Sequence, residues 1–272
     1  MSITFKGKVA VVTGGAMGIG EAAAKRFAEL GAAVAILDRD RAAGEKVAEA
    51  LRGNGKRVEF YECDVAAPTQ VESAMNAAAV AFDGIDVLVS NAGIQRYGDV
   101  IETTDAVWDE VMSVNLKGCF YAAKYAVPHM MKRASGAIVV VGSVQSFTAV
   151  GNSAAYVAAK HALLGLARAM ALDYARNNIR VNCVCPGAID TPMLRWAASL
   201  DPDPAKVLAT CDRMHALGRV GKPEEVANAI AFLASDWASF ITGTALLVDG
   251  GMLVPTGGMG FQESGTGAAT KK

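Results

Sequence analysis

The chain has 272 residues, a length that one large α/β domain or two small ones could occupy. Its 26 lysines and arginines stand against 27 aspartates and glutamates, so no global basic field favours nucleic acid and there is no strongly acidic balance. The five cysteines, Cys63, Cys119, Cys183, Cys185 and Cys211, are odd in number and scattered, which argues against a disulfide framework and for reduced thiols.

The first dozen residues hold only a short apolar run and no small-residue cleavage signal, so they read as neither signal peptide nor membrane span. A cytoplasmic protein is expected. Apolar runs of strand length then recur at 9–12, 34–37, 58–63, 87–90, 138–141, 181–184 and 245–248, with stretches of helical period between them. Because the runs are nearly all apolar rather than alternating, burial on both faces is expected. This is a doubly wound α/β fold with a seven-stranded parallel sheet under helices. Cys183 and Cys185 share one face of such a strand, but no His or further Cys lies nearby, so no metal site is expected.

No Pro/Ser-rich linker or shift in composition appears before Gly251, which favours a single domain over residues 1–252. Two segments depart from the alternation. Residues 192–217, with Pro202 and Pro204 between helical pieces, read as a lid, and the Gly-, Thr- and Ser-containing segment 253–272 reads as a flexible arm.

The first strand runs straight into Gly14, Gly15, Ala16, Met17, Gly18, Ile19 and Gly20, followed by an amphipathic stretch at 21–30. Glycines at a strand-to-helix turn let backbone N–H groups and the positive helix end approach a pyrophosphate. The second strand ends on Asp38, eighteen residues after Gly20, near the interval expected for an acid that binds the adenosine ribose diol. A carboxylate there accepts from both hydroxyls and repels a 2′-phosphate, so NAD is favoured over NADP. Arg39 beside it is a phosphate contact or a solvated loop charge.

Tyr156 and Lys160 stand four apart in a helical stretch, on one face. A cation beside a phenol favours phenolate, and such a tyrosine can act as general base or acid. Ser143 lies just beyond the strand at 138–141, where an open α/β sheet places its ligand crevice.

In these motifs the chain resembles the short-chain dehydrogenase/reductase family from Lys8 to Gly251. The likeness rests on Thr13-Gly14 with Gly18-Ile19-Gly20, Asp64-Val65, Asn91-Ala92-Gly93, Asn115, Ser143, Tyr156 with Lys160, and Pro186-Gly187 with Thr191. One departure is Ser90 before Asn91, where the family usually carries a second asparagine. The resemblance implies that Ser143 holds the substrate oxygen, Tyr156 transfers the proton, Lys160 supports Tyr156 and binds nicotinamide ribose, and Asn115 supports a water-linked relay. It also implies that Gly14, Met17, Gly18, Ile19 and Gly20 hold the cofactor phosphates and Asp38 the ribose. Asp64 and Val65 would sit at the adenine, Asn91, Ala92 and Gly93 along the cofactor, and Pro186, Gly187, Ile189 and Thr191 at the nicotinamide. A homotetramer is implied in the same way.

Substrate candidates lie just beyond strand ends: Gln95, Arg96, Gln145, Phe147, Asn152, Trp196 and His215. Their hydrogen-bonding character favours a hydroxyl-rich molecule such as a sugar or polyol. The function expected is NAD-dependent interconversion of a secondary alcohol, or a sugar hemiacetal, and its carbonyl. The alternatives are an NADPH-dependent ketoreductase of a non-sugar carbonyl, a non-catalytic nucleotide-binding protein, and an epimerase or dehydratase that uses NAD transiently.

Overall fold

In the computed structural model, which describes residues 2–254, the seven apolar runs are strands: β1 (Val9–Thr13), β2 (Ala33–Asp38), β3 (Val58–Glu62), β4 (Val87–Ser90), β5 (Gly136–Val141), β6 (Ile179–Pro186) and β7 (Ala245–Val248). All pair in parallel, in the order β3-β2-β1-β4-β5-β6-β7. The chain winds outward from β1 to β3, then returns to lay β4 beside β1. That reversal opens a crevice at the carboxyl ends of β1 and β4, where such sheets bind ligands.

Nine α-helices cover the described sheet: α1 (Gly18–Glu29), α2 (Arg41–Gly53), α3 (Pro68–Phe82), α4 (Asp105–Met112), α5 (Gly118–Lys132), α6 (Ala154–Tyr174), α7 (Pro192–Ala198), α8 (Pro204–Arg213) and α9 (Pro223–Ala234). Side chains alternate across a strand, so neighbouring residues enter opposite cores. Val11, Leu88 and Ile138 pack with Met75, Ala122 and Leu163 from α3, α5 and α6. Val12, Val89 and Val139 pack with Phe27, Val47 and Ile230 from α1, α2 and α9.

Burial on both faces holds for the central strands and fails at the edges. Glu59 and Glu62 of β3 and Leu247 of β7 are exposed, because each edge strand has a neighbour on one side only. Between α4 and α5 the structure inserts a π-helical turn at Ser113–Lys117.

Two ties fix the end of the sheet away from the crevice. Asp86, buried before β4, accepts the Val9 N–H at 2.8 Å and a bond from the Lys8 ammonium at 3.3 Å. Arg180 of β6 donates to the carbonyls of Leu233, Ala234, Ser235 and Ile241, closing the C-terminal end of α9. No helix among the described residues is long and apolar enough to cross a membrane. Of the arm expected at 253–272, residues 255–272 lie outside the described residues.

Candidate active site

The glycine turn is built by close approach. Gly14 and Gly18 have φ of 64° and 57°, left-handed values that glycine adopts without strain. A Cβ at Gly14 would come 2.8 Å from the Ala92 Cα, and one at Gly20 would stand 2.5 Å from the Asn91 Nδ2 and overlap the Gly14 carbonyl. The turn thus lies directly on the loop after β4. Asn91 closes the seam by donating Nδ2 to the Thr13 and Gly14 carbonyls at 3.0 Å each, while Thr13 Oγ1 accepts the N–H groups of Asn91 and Ala92. Met17, the N-cap of α1, makes no side-chain cap bond, so the first-turn N–H groups are not consumed by a cap. An anionic diphosphate suits that helix end.

Asp38, half-buried at the end of β2, accepts the Ala16 N–H through Oδ2 and the Asp40 N–H through Oδ1, both at 3.0 Å. Each oxygen keeps a further lone pair. The carboxylate therefore shapes the glycine turn, a role the sequence pattern does not reveal. Arg39 is exposed. Asp64 accepts the Ala66 N–H at 2.9 Å and does not cap α3, whose N-cap is Ala67 before Pro68. Val65 is buried, tight enough that a Cβ at Gly118 would come within 2.8 Å of it.

Beyond β5 the chain makes a short 3-10 turn, Val144–Ser146, capped by Ser143, whose Oγ accepts the Gln145 N–H at 3.1 Å. Lys160 is 5% exposed; its ammonium donates to the Val141 carbonyl at 2.8 Å and stands 5.5 Å from the centroid of the Tyr156 ring. Tyr156 is buried, and no hydrogen bond among the described residues engages its hydroxyl. Asn115 sits in the π-helical turn, where its carboxamide accepts the Ile94 N–H at 2.8 Å and donates to the Ile94 carbonyl at 2.9 Å. That side chain is spent on the loop carrying Gly93. Helix-interrupting π turns recur at functional sites.

Pro186 ends β6, and Gly187 donates its N–H to the Val248 carbonyl. Ile189 is buried and bridges to Gly221. Thr191 caps α7, and its Cγ2 would touch a Cβ at Gly18 at 3.3 Å, so the root of the 192–217 segment rests on the glycine turn. The far end is held by His215, 2% exposed, whose Nε2 accepts the Ala188 N–H at 3.1 Å while Nδ1 donates to the Cys211 carbonyl at 2.7 Å. Between these points α8 has no buried residue and α7 has only Ala198.

The substrate candidates divide. His215 is a buried tie with both ring nitrogens used, and Arg96 makes a two-point ion pair with Glu110, so neither is free as expected. Gln95 is half-buried. Gln145 carries a buried Oε1 with no partner. Asn152, at φ 59°, lines an open groove of about 720 Å³ with Phe147, Val157 and His161. Trp196 stacks on Tyr97, centroids 6.0 Å apart and planes 20° from parallel. Tyr97 was not singled out by any motif; burial raises its phenol pKa, with smaller contributions from Cys211 and Tyr156.

The family model described as enoyl-(acyl carrier protein) reductase matches residues 14–253. The chain is 45% identical over 252 residues to the cis-4-hydroxycyclohexanecarboxylate dehydrogenase of Sinomonas cyclohexanicum, covering 92% of this chain and 98% of that one. It is 40% identical to the meso-2,3-butanediol dehydrogenase of Serratia marcescens, covering 93% and 97%. The solved structure of Thermoplasma acidophilum aldohexose dehydrogenase superposes with a TM-score of 0.86 at 41% identity, covering 94% and 97%. With that sheet order, that glycine turn and these likenesses, the chain belongs to the short-chain dehydrogenase/reductase family and is an oxidoreductase acting on the CH–OH group of an alcohol with a nicotinamide nucleotide.

Proposed function

We propose that the enzyme uses NAD rather than NADP to interconvert a secondary alcohol and its carbonyl, on a substrate that carries a second polar group. The observation that carries the reading is the buried Lys160 ammonium held beside the Tyr156 ring, with Ser143 capping the turn opposite. The nicotinamide, when bound, supplies or accepts the hydride. Tyr156 takes the hydroxyl proton during oxidation and returns it during reduction, with Lys160 placed beside its ring and binding the nicotinamide ribose. Ser143 holds the substrate oxygen through its hydroxyl. Asn115 fixes the Ile94 loop and supports the relay that carries the proton onward.

Gly14, Met17, Gly18, Ile19 and Gly20 would hold the diphosphate, and Asp38 the ribose diol. Asp64 and Val65 would meet the adenine, Asn91, Ala92 and Gly93 would run along the cofactor, and Pro186, Gly187, Ile189 and Thr191 would bound the nicotinamide. The NAD preference rests on Asp38, whose charge repels a 2′-phosphate. The 192–217 segment, anchored at Thr191 and His215 and thinly packed between them, acts as the lid.

On the substrate side, the unpartnered Gln145 Oε1 favours a molecule with a donor to place there, since an unmatched buried acceptor is costly. Three of the relatives' names carry such a group, a butanediol, a hydroxycyclohexanecarboxylate and an aldohexose, whereas the cyclohexanol named for another does not. Gln95, Asn152 and Trp196 complete the pocket, with Tyr97 as the wall behind Trp196.

The test is a panel of meso-2,3-butanediol, cis-4-hydroxycyclohexanecarboxylate, cyclohexanol, glucose and glycerol, assayed by absorbance of the reduced nicotinamide with NAD⁺ and NADP⁺ side by side. Turnover of a polar secondary alcohol with NAD⁺ supports the reading. Faster turnover with NADP⁺ removes the assignment of Asp38, and cyclohexanol outpacing every polar alcohol removes the role of Gln145.

A further inference from the structure

The hydroxyl of Ser146 joins two parts of the site that no sequence motif connects. It accepts the Ser143 N–H at 3.2 Å and donates to the Lys160 carbonyl at 2.7 Å. Lys160 is thereby gripped at both ends by the close of β5 and the turn after it: its ammonium donates to the carbonyl of Val141, the last residue of β5, and its main-chain carbonyl accepts from Ser146. Ser146 is 3% exposed, Ser143 is 8% exposed, and Lys160 is 5% exposed, so water has little access to replace the bond.

The surroundings leave the turn little room. A Cβ at Gly142 would come 3.0 Å from the Ser146 Oγ and 2.8 Å from the Cys183 Sγ. Ser146 donates into α6 rather than to its own turn, so the bond measures the distance between the Ser143 turn and the helix that carries Tyr156 and Lys160.

We propose that Ser146 is a positioning residue for the reaction, its hydroxyl holding the Ser143 turn and the Lys160 turn of α6 at the one spacing that proton transfer requires. The proposal rests on the roles given above to Ser143, Tyr156 and Lys160. Removing the hydroxyl leaves the buried Ser143 N–H without its acceptor and lets the turn move against α6. Small misplacements of reacting groups cost about 100-fold in rate. The cofactor's grip on the glycine turn and Asp38 lies on other elements and stays in place, so NADH binding changes only by what the shifted Lys160 gives the nicotinamide ribose.

The experiment uses the full-length enzyme with NAD⁺ and the fastest alcohol of the panel, both unlabelled and deuterated at the carbinol carbon. For Ser146→Ala the expected result is a kcat lower by about 10- to 100-fold, NADH affinity near that of the wild type, and a larger deuterium isotope effect on kcat as chemistry becomes limiting. Ser146→Thr, which keeps the hydroxyl, recovers most of the rate. Ser146→Cys, slightly larger and with a weaker donor and acceptor, gives the same sign of effect without a cavity. A kcat near wild type for Ser146→Ala, in a protein where Tyr156→Phe is inactive, overturns the proposal. So does a loss of rate that follows melting temperature and NADH affinity together with no change in isotope effect. Full activity of Tyr156→Phe removes the underlying roles and the proposal with them.

Discussion

Lys160 places its ammonium 5.5 Å from the centroid of the Tyr156 ring while donating to the Val141 carbonyl at 2.8 Å, so β5 and α6 hold one buried cation between them. Among the described residues no carboxylate forms an ion pair with it. An unpaired buried charge is expensive to keep. Its neighbours are the Val141 carbonyl and the face of the Tyr156 ring, the arrangement on which the proposed role of Tyr156 rests. Tyr156→Phe keeps the ring and its contact with Lys160 and removes only the hydroxyl. Turnover falls by about 100- to 10,000-fold, the range for a lost general acid or base, while NADH titration gives nearly unchanged affinity. Full activity in steady-state assays of Tyr156→Phe contradicts the role.

Asp38 anchors the glycine turn, and the proposed selection of NAD is a second role that one substitution separates from the first. Asp38→Ser lowers kcat/KM for NAD⁺ and narrows the gap to NADP⁺, because the repulsion of a 2′-phosphate goes with the carboxylate. The Ala16 N–H loses its acceptor too. That position is half-buried, and a water or the serine hydroxyl takes the bond at a cost of about 1 kcal/mol or less. The expected pattern is a large change in cofactor ratio with a small change in melting temperature. A variant that melts early with its NAD⁺ to NADP⁺ ratio intact shows Asp38 to be only a loop anchor.

The sheet was legible because apolar runs of fixed length at fixed intervals carry their own signal; Val11 and Val12, adjacent in sequence, had to enter opposite cores. Gly14 and Gly20 were legible because only a missing side chain tolerates their contacts with Ala92, Asn91 and each other. The π turn at Ser113–Lys117 was not, since an extra residue in a helical turn changes no residue type. The use of Asn115 on Ile94, His215 on Ala188 and Ser146 on Lys160 was hidden for a related reason. Each is a side chain bonding to backbone brought near by folding, and local sequence does not encode which carbonyl or N–H arrives. Tyr97 escaped notice because it needed Trp196, far along the chain, to become half of a stack.

Arg180 caps α9 from the far end of the sheet, and its loss should be felt in stability rather than rate. Its guanidinium meets the carbonyls of Leu233, Ala234, Ser235 and Ile241, where the negative end of the helix dipole lies. Arg180→Met keeps the apolar stem and removes the charge and donors, costing about 2–3 kcal/mol. In a domain of this size each kcal/mol moves Tm by about 2–4 °C. Thermal melts should show the drop, with kcat measured well below Tm close to wild type. A fall in kcat without a fall in Tm contradicts the separation.

The thiols should be nearly silent in the native protein. Burial pushes the Cys63 pKa up to about 12 and that of Cys119 up to about 11. Cys183 is raised through its hydrogen bond to Cys185, which is lowered by the same bond, but both sit under the Ser143 turn with almost no exposure. Cys211 is partly exposed and raised by burial, then by Asp212. Iodoacetamide at pH 8 should therefore add to at most Cys211 in the native protein, and to all five after unfolding, as counted by mass spectrometry. Rapid native labelling of Cys183 or Cys185 contradicts the burial of that pair.

Glu225 offers a test of pH dependence away from the site. Arg219 donates to both its oxygens at 2.7 and 2.8 Å, and the Lys222 N–H adds a third bond at 2.7 Å across the first turn of α9. Chiefly through Arg219, and then through that backbone bond, the carboxyl pKa is lowered to about 2 from its usual 4.5. A depressed folded-state pKa contributes stability that is complete above the unfolded value and is lost as pH falls through the folded one. The window is therefore from about pH 4.5 down to about 2. Both side chains are more than a third exposed, so solvent screens the pair and the stability change stays small. The sharper readout is the carboxyl carbon resonance of Glu225, whose midpoint should lie near 2 and climb toward 4.5 in Arg219→Ala. The climb should stop short of the full value, because the Lys222 N–H still favours the charged form. An unchanged midpoint in that variant assigns the shift to the backbone bond at the helix start instead of to the arginine.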